Sequence, residues 1–209
     1  IGFLSQSGAV CGGVVDLIAE KHIGFSHFAS LGNELDVDET DMIAFFGAHP
    51  KVKVIAAYVE GIQDGEKFIR VASEISHKKP IVMLKAGRTD AGAKAVSSHT
   101  GSLAGAYAAY QAAFRQSGVI EVESLAALFD VAWSLSCQPL PKGNRVAIFT
   151  NAGGPAALAS DALASNGFKL AEFSDEQQSV LAEELNPSAQ VGNPVDMLGA
   201  AEAHEFAHC

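Results

Sequence analysis

Cysteine is scarce in this chain, with three in 209 residues, at Cys11, Cys137 and Cys209. An odd number with no Cys-x-x-Cys spacing excludes a disulfide framework and a zinc site built on cysteine. Such usage points to a reducing compartment, so a cytoplasmic protein is expected. Basic residues are also short: 14 Lys and Arg stand against 24 Asp and Glu, a net charge of −10, and no more than two basic residues occur in a row. That balance argues against nucleic-acid or membrane-surface binding as the main task. It leaves room for a local phosphate site, which backbone amides can build without cations. No apolar run reaches transmembrane length, and no signal-peptide pattern occurs at the start. No metal site is expected.

What the chain does have is apolar content, 48% against 18% charged, enough for a sizeable packed core. Short β-like runs alternate with amphipathic stretches: "IGFLS", "AVCGGVVDLIAEKH", "FSHFAS", "DETDMIAFFGAH", "VKVIAAYVE", "DGEKFIRVASEISHKK", "PIVMLKA". In the sixth, Phe68, Ile69, Ala72 and Ile75 fall at helical spacing, with Asp64 placed as the cap. "SLAGAYAAYQAAFRQSG" predicts a helix ended by Gly118, followed by a strand "VIEV" and a helix "SLAALFDVAWSLS". "CQPLPKGN" then reads as a linker, after which "RVAIFT", "PAALASDALASNG", "FKLAEF" and "SDEQQSVLAEEL" restart the pattern. Alternating β and α predicts an α/β protein of two doubly wound parallel-sheet, flavodoxin-like domains. The expected boundaries are 1–137 for the first, 138–144 for the linker and 145–209 for the second, incomplete one. The chain opens inside a strand-like run without Met and stops inside a helix-like one, so a piece of a longer protein is expected.

An internal echo supports two related units. "FLSQSGAV" and "IFTNAGGPAAL" are each a strand, a small polar turn with glycine, and a helix. Gly24-Phe25 and Gly167-Phe168 close the two helices, and Gly-Asn-x-x-Asp turns follow at 32–36 and 192–196.

Four features could carry chemistry. A glycine turn opening onto a helix exposes unpaired amides where the macrodipole is positive, a ready anion site. Ser5, Ser7 and Gly8 form one candidate phosphate cradle; Thr150, Asn151, Gly153 and Gly154 form the other. Neither is a Walker A loop or a full dinucleotide fingerprint, and glycine could simply permit a tight turn. His99 stands alone in "GRTDAGAKAVSSHTGS", 16 residues with little pattern, flanked by Ser98, Thr100 and Gly101. The stretch predicts a flexible loop at a helix N-terminus, and long loops inside compact domains are often functional. An exposed histidine is one reading; a neutral imidazole that takes a phosphoryl group onto nitrogen is the other. Glu60 ends the strand "VKVIAAYVE" before Gly61, where parallel sheets gather ligand chemistry. It is either a solvated strand-end carboxylate or the partner that fixes the His99 tautomer. Asp36 and Asp196 sit in the Gly-Asn turns, where such residues usually shape turns.

Taken together, "AGRTDAGAKAVSSHTGSLAG" resembles the phosphohistidine segment of the NDP-forming (ADP-forming) acyl-CoA synthetases, relatives of succinyl-CoA synthetase. "LSQSGAV", "SLGNELDVDETDMI", "YVEGIQDGEKF" and "FTNAGGPAALASDAL" extend the resemblance over nearly the whole chain. It implies an acid–thiol ligase in which acyl-CoA and phosphate give an acyl phosphate, which phosphorylates His99 with support from Glu60. The phosphohistidine then passes its phosphoryl group to ADP at a separate ATP-grasp domain. It implies phosphate held at two helix N-termini, around Ser7-Gly8 and Gly153-Gly154. It also implies a CoA-binding Rossmann domain and an ATP-grasp domain outside this chain, a small carboxylic acid substrate, and an oligomer. CoA, ATP or ADP, phosphate and Mg²⁺ serve the full enzyme, none expected to be held by this piece alone, which is expected to be inactive. Two other readings compete: a regulatory synthetase-like region of a protein acetyltransferase, and a plain flavin-binding flavodoxin-like domain. The presence of both His99 and Glu60 favours catalysis over the regulatory reading.

Overall fold

The computed structural model describes residues 1–32, 34–100 and 107–209, without the side chains of residues 19 and 97–100. The chain divides into two compact units, Ile1–Leu140 and Pro141–Cys209.

The first unit alternates β1 (Gly2–Ser5), α1 (Gly8–Lys21), β2 (His27–Ser30), α2 (Glu39–Ala48), β3 (Ile55–Val59), α3 (Gly65–Ser76) and β4 (Ile81–Lys85). It continues with α4 (Asp90–Thr100), α5 (Tyr107–Ser117), β5 (Ile120–Val122) and α6 (Leu125–Cys137). Among the described residues, five strands form one parallel sheet in the order β2-β1-β3-β4-β5, the flavodoxin-like order. Register aligns Ser5 with Ser30 on one side and Tyr58 on the other, and Val59 with Lys85. Covered on both faces, the strands read as continuous apolar runs rather than as alternations; β4 is buried from Ile81 to Lys85. One face packs Phe3, Val54, Ala56 and Val82 against Val14 of α1 and Leu128, Phe129 and Ala132 of α6. The other packs Leu4, Ile55, Ala57 and Met83 against Ile43 and Phe46 of α2, Phe68 and Ala72 of α3, and Phe114 of α5.

The helix ends follow their capping chemistry. Asp64 accepts from Lys67 N at 2.9 Å, and Asp38 with Asp41 closes a capping box on α2. Lys67 then ties α3 to that box, 2.8 Å from Asp38 and 2.7 Å from Asp41. α5 ends in a Schellman turn: Gly118 has φ +68°, and Val119 N donates to Phe114 O at 3.0 Å. A side chain at Gly118 would also meet Ser76 Oγ at 2.9 Å.

One expectation is corrected here. The stretch around His99 is not a patternless loop at a helix N-terminus: Asp90–Thr100 is α4, and His99, with Ser98 and Thr100, lies in its last turn. Three alanines (91, 93 and 95) favour the helix, and Thr89 caps it, accepting from Gly92 N at 3.1 Å. Ser and Thr are only moderately unfavourable inside a helix, so the alanines and the cap outweigh them. Gly101 lies outside the described residues, as does Asn33 of the first Gly-Asn turn.

The second unit contains β6 (Arg145–Val146), β7 (Phe149–Thr150), α7 (Gly153–Ser165), β8 (Lys169–Leu170), α8 (Asp175–Glu184), β9 (Val195–Asp196) and α9 (Ala203–His208). β6 pairs in parallel with β8, and β7 with β9. The run "RVAIFT" thus changes neighbour midway: Val146 O accepts from Ala171 N at 2.9 Å, and Ile148 O from Val195 N at 2.8 Å. Asn193 fills the changeover, donating to Val146 O and Ala171 O at 2.9 Å each and accepting from Ile148 N at 3.0 Å. No helix among the described residues is long and apolar enough to cross a membrane.

Candidate functional site

In the order 2-1-3-4-5 the strand order reverses between β1 and β3, and ligands of such sheets bind beyond the carboxyl ends of the strands at that point. Three strand ends meet there: Ser5-Gln6-Ser7 after β1, Glu60-Gly61 after β3, and Lys85 closing β4.

The turn after β1 is self-contained. Ser5 is buried, its hydroxyl donating to Ser7 O at 2.9 Å and accepting from Ser7 N at 3.0 Å. Ser7 is the N-cap of α1, its Oγ accepting from Val10 N at 3.3 Å. The first i→i−4 bond is Cys11 N to Ser7 O. The amides of Gly8 and Ala9 therefore precede both bonds, and these two residues are exposed. An anion at this helix end would meet amides; the two serine hydroxyls are committed to the turn.

Gln6, absent from the expected site, holds the crevice together. Its Oε1 accepts from the backbone N of Glu60 and, at 3.0 Å, from Gly61 N. Its Nε2 donates at 2.9 Å to Gly61 O and at 2.9 Å to Glu34 Oε1, with Glu39 Oε2 at 3.5 Å. Glu60 is thereby fixed through its backbone and sits half-buried. Burial, together with the nearby Glu60 charge, holds the Tyr58 phenol above its usual pKa. Burial lowers the pKa of Lys85, and the nearby Glu60 charge opposes the shift.

Glu39 is a second residue that the sequence did not reveal. It is fully buried in the first turn of α2, accepting from Thr40 Oγ1 at 3.0 Å. Burial, with the neighbouring Glu34 charge, raises its pKa to about 7. Burial raises that of Glu34 too, and Glu34 holds a left-handed backbone at φ +53°. Non-glycine residues at such φ are strained and cluster at functional sites.

In the second unit the same turn recurs. Thr150 Oγ1 donates to Ala152 O at 3.3 Å and accepts from Ala152 N at 3.2 Å. Ala152 is the N-cap of α7 without a side-chain bond, and Gly153, Gly154 and exposed Asn151 surround the helix end. Asp196 borders it: a Cβ on Gly153 would lie 3.3 Å from Asp196 Oδ2, while Oδ1 accepts from Leu198 N at 3.0 Å. Asp36 is exposed in a bend. The structure brings Ser5, Ser7, Gly8 and Glu60 to one crevice, and Thr150, Gly153, Gly154 and Asp196 to another; the His99 side chain lies outside what is described. Among the described residues no group of three or more His, Cys, Asp or Glu side chains could hold a metal ion.

The first unit is thus a flavodoxin-like α/β domain with a carboxylate and an open helix N-terminus at its switch point. Residues 1–135 match the succinyl-CoA ligase like flavodoxin domain, and residues 146–208 the ligase-CoA domain. The chain belongs to the succinyl-CoA ligase family. It is 45% identical over 206 residues to the alpha subunit of the ADP-forming acetate–CoA ligase II of Pyrococcus furiosus, covering 99% of this chain and 45% of that one. It is 39% identical over 208 residues to an ADP-forming 4-hydroxybutyrate–CoA ligase of Nitrosopumilus maritimus, covering 99% of this chain and 30% of the relative. Among solved structures, the dinucleotide forming acetyl-coenzyme A synthetase 1 of Ca. Korarchaeum cryptofilum, in complex with phosphate and ADP, matches with a TM-score of 0.91 at 39% identity. That match covers 99% of this chain and 45% of the neighbour. The chain thus spans less than half the length of these relatives.

Proposed function

We propose that this chain is the phosphoryl-relay part of an ADP-forming acyl-CoA synthetase. The observation that carries the reading is Glu60, held at the switch point by three hydrogen bonds between Gln6 and the Glu60–Gly61 backbone, in a chain of the succinyl-CoA ligase family. Phosphate attacks the thioester carbon of acyl-CoA, the C–S bond breaks, and CoA leaves with an acyl phosphate formed. A ring nitrogen of His99 then attacks phosphorus; the P–O bond to the acyl group breaks and the carboxylate departs. The ring keeps its N–H on the other nitrogen and gains positive charge, which Glu60 stabilises by accepting that hydrogen bond. Attack of ADP on the phosphoryl group returns neutral His99 and yields ATP. The sum is acyl-CoA, ADP and phosphate giving acid, CoA and ATP.

The first amides of α1 and of α7 are the phosphate cradles in this reading, with Ser7-Gly8 and Gly153-Gly154 at their starts. In this reading the Mg²⁺ that accompanies nucleotide is held with it at an ATP-grasp module. That module, a CoA-binding domain and further copies of the assembly are the partners. The three free cysteines suit a cytoplasmic setting. The test uses the complete protein with Mg²⁺ and γ-labelled ATP. Acid-labile, alkali-stable label on the wild type, lost in His99→Ala, is expected. Labelling unchanged in His99→Ala would sink the relay.

A further inference from the structure

The segment that carries His99 leaves the sheet at the end of β4 and returns as α5, and its two ends are joined side by side. Arg88 Nε donates to the Tyr107 hydroxyl at 2.8 Å, across 19 residues. That hydroxyl donates in turn to Glu121 Oε1 on β5. Arg88 Nη2 donates to Glu123 Oε1 at 2.7 Å, just past the same strand. One turn further along α5, Lys85 Nζ lies 4.5 Å from the centre of the Tyr110 ring, and Lys85 is itself buried on β4. The pairing is antiparallel: 85 with 110 and 88 with 107, each a cation against a tyrosine, three residues apart on both sides. Glu121 pairs in register with Met83, so the anchor beneath is the β4–β5 part of the sheet.

A surface ion pair alone would contribute little. This cluster differs in two ways. The phenol is bonded on both sides, once to a carboxylate and once to a guanidinium, which makes both bonds charge-assisted. It also ties the exit of a segment to its entry, so it sets where everything between them emerges. We infer that Lys85, Arg88, Tyr107 and Tyr110 form a clasp that positions the His99-bearing segment for phosphoryl transfer; this rests on the relay reading above. Its members are positioning residues, acting through the backbone they hold.

The experiment compares Tyr107→Phe, Arg88→Met and Arg88→Lys with wild type in the complete protein, by single-turnover labelling of His99 from γ-labelled ATP with Mg²⁺. Tyr107→Phe keeps the ring and removes only the bridging hydroxyl. We expect labelling slowed roughly 10- to 10²-fold, the range that small misplacement of a reacting group costs. KM for nucleotide and for acid should stay within about twofold, a split that general destabilisation would not give. Arg88→Lys should recover part of the rate lost in Arg88→Met. Hydrogen exchange should show the first turn of α5 opening more readily in Tyr107→Phe. Labelling of Tyr107→Phe within about twofold of a labelled wild type overturns the clasp and leaves the relay standing. No label on the wild type overturns the relay; unchanged α5 exchange in Tyr107→Phe then overturns the clasp independently.

Discussion

The two glycine turns make the same shape with different atoms. In each, a hydroxyl at the end of the strand before the helix, Ser5 or Thr150, bonds both the C=O and the N–H of the residue two positions on. In each, the helix opens with two uncapped amides ahead of the first i→i−4 bond, those of Gly8 and Ala9 in α1 and of Gly153 and Gly154 in α7. The third amide is removed in both, by opposite means. Val10 N is taken by the Ser7 side chain, whereas α7 has Pro155 at the matching position, which has no N–H. What the units share is therefore the exposed amide pair, and the side chains around it are interchangeable ways of leaving it.

The units differ more in how they hold their carboxylate. Glu60 is fixed through Gln6, which also reaches Glu34 and Glu39; Asp196 is held by its own turn through Leu198 N. The largest expected effect probes that difference. Glu60→Gln should slow phosphoryl transfer to His99 about 10²-fold or more, as loss of a preorganised charge does. Asp196→Asn should cost clearly less in the same single-turnover assay. Comparable rates in wild type and Glu60→Gln would reduce Glu60 to a strand-end carboxylate.

Next comes pH. The folded-state pKa of Glu39 lies above its unfolded value, at about 7 against 4.5. Below the lower value both states hold the proton and Glu39 is neutral in the balance. Between the two, the unfolded chain releases a proton that the folded one keeps, so stability falls as pH rises, and the loss is complete above pH 7 or so. Glu39→Gln should remove this loss. We expect it to raise unfolding free energy at pH 8 relative to pH 5 by on the order of 2–3 kcal/mol, one pKa unit being worth about 1.4 kcal/mol. Equal effects at both pH values in urea melts would contradict the buried acid.

Gln6→Ala should cost about 2 kcal/mol, since it leaves backbone groups of Glu60 and Gly61 without a partner. Asn151→Ala, at the matching place in the second unit, should stay within about 0.5 kcal/mol. Equal losses would erase the asymmetry. The smallest test concerns the caps. Ser7→Ala should cost about 1 kcal/mol. Ala152→Ser should gain only a few tenths while Pro155 stands, and more in a Pro155→Ala background, a coupling that a double-mutant cycle reads directly.

Much of the architecture was legible because it is local. The buried runs, the Asp64 cap and the Gly118 stop each need only a few neighbouring residues. The echo between "FLSQSGAV" and "IFTNAGGPAAL" pointed to the two turns for the same reason. Gln6 and Glu39 were hidden because what defines them is distant: Gln6 meets Glu60 across 54 residues and Glu39 across 33. The helix around His99 was missed because Ser, Thr and Gly look like breakers, while alternate alanines and one capping threonine outweigh them. Ser5 and Ser7 are legible as part of a small polar turn opening onto a helix; that their hydroxyls bond within the turn shows only in the structure.

The amide pair at the start of α1 has one more property. No acidic residue lies in the first turn of that helix, and its cap is a serine. Backbone amides do not titrate. An anion seated there would meet donors that carry no titrating group of their own, so the cradle itself adds no pKa to its occupancy. Any pH dependence in the relay would then be traced to the carboxylates behind the crevice and to the imidazole, with the cradle as the constant reference.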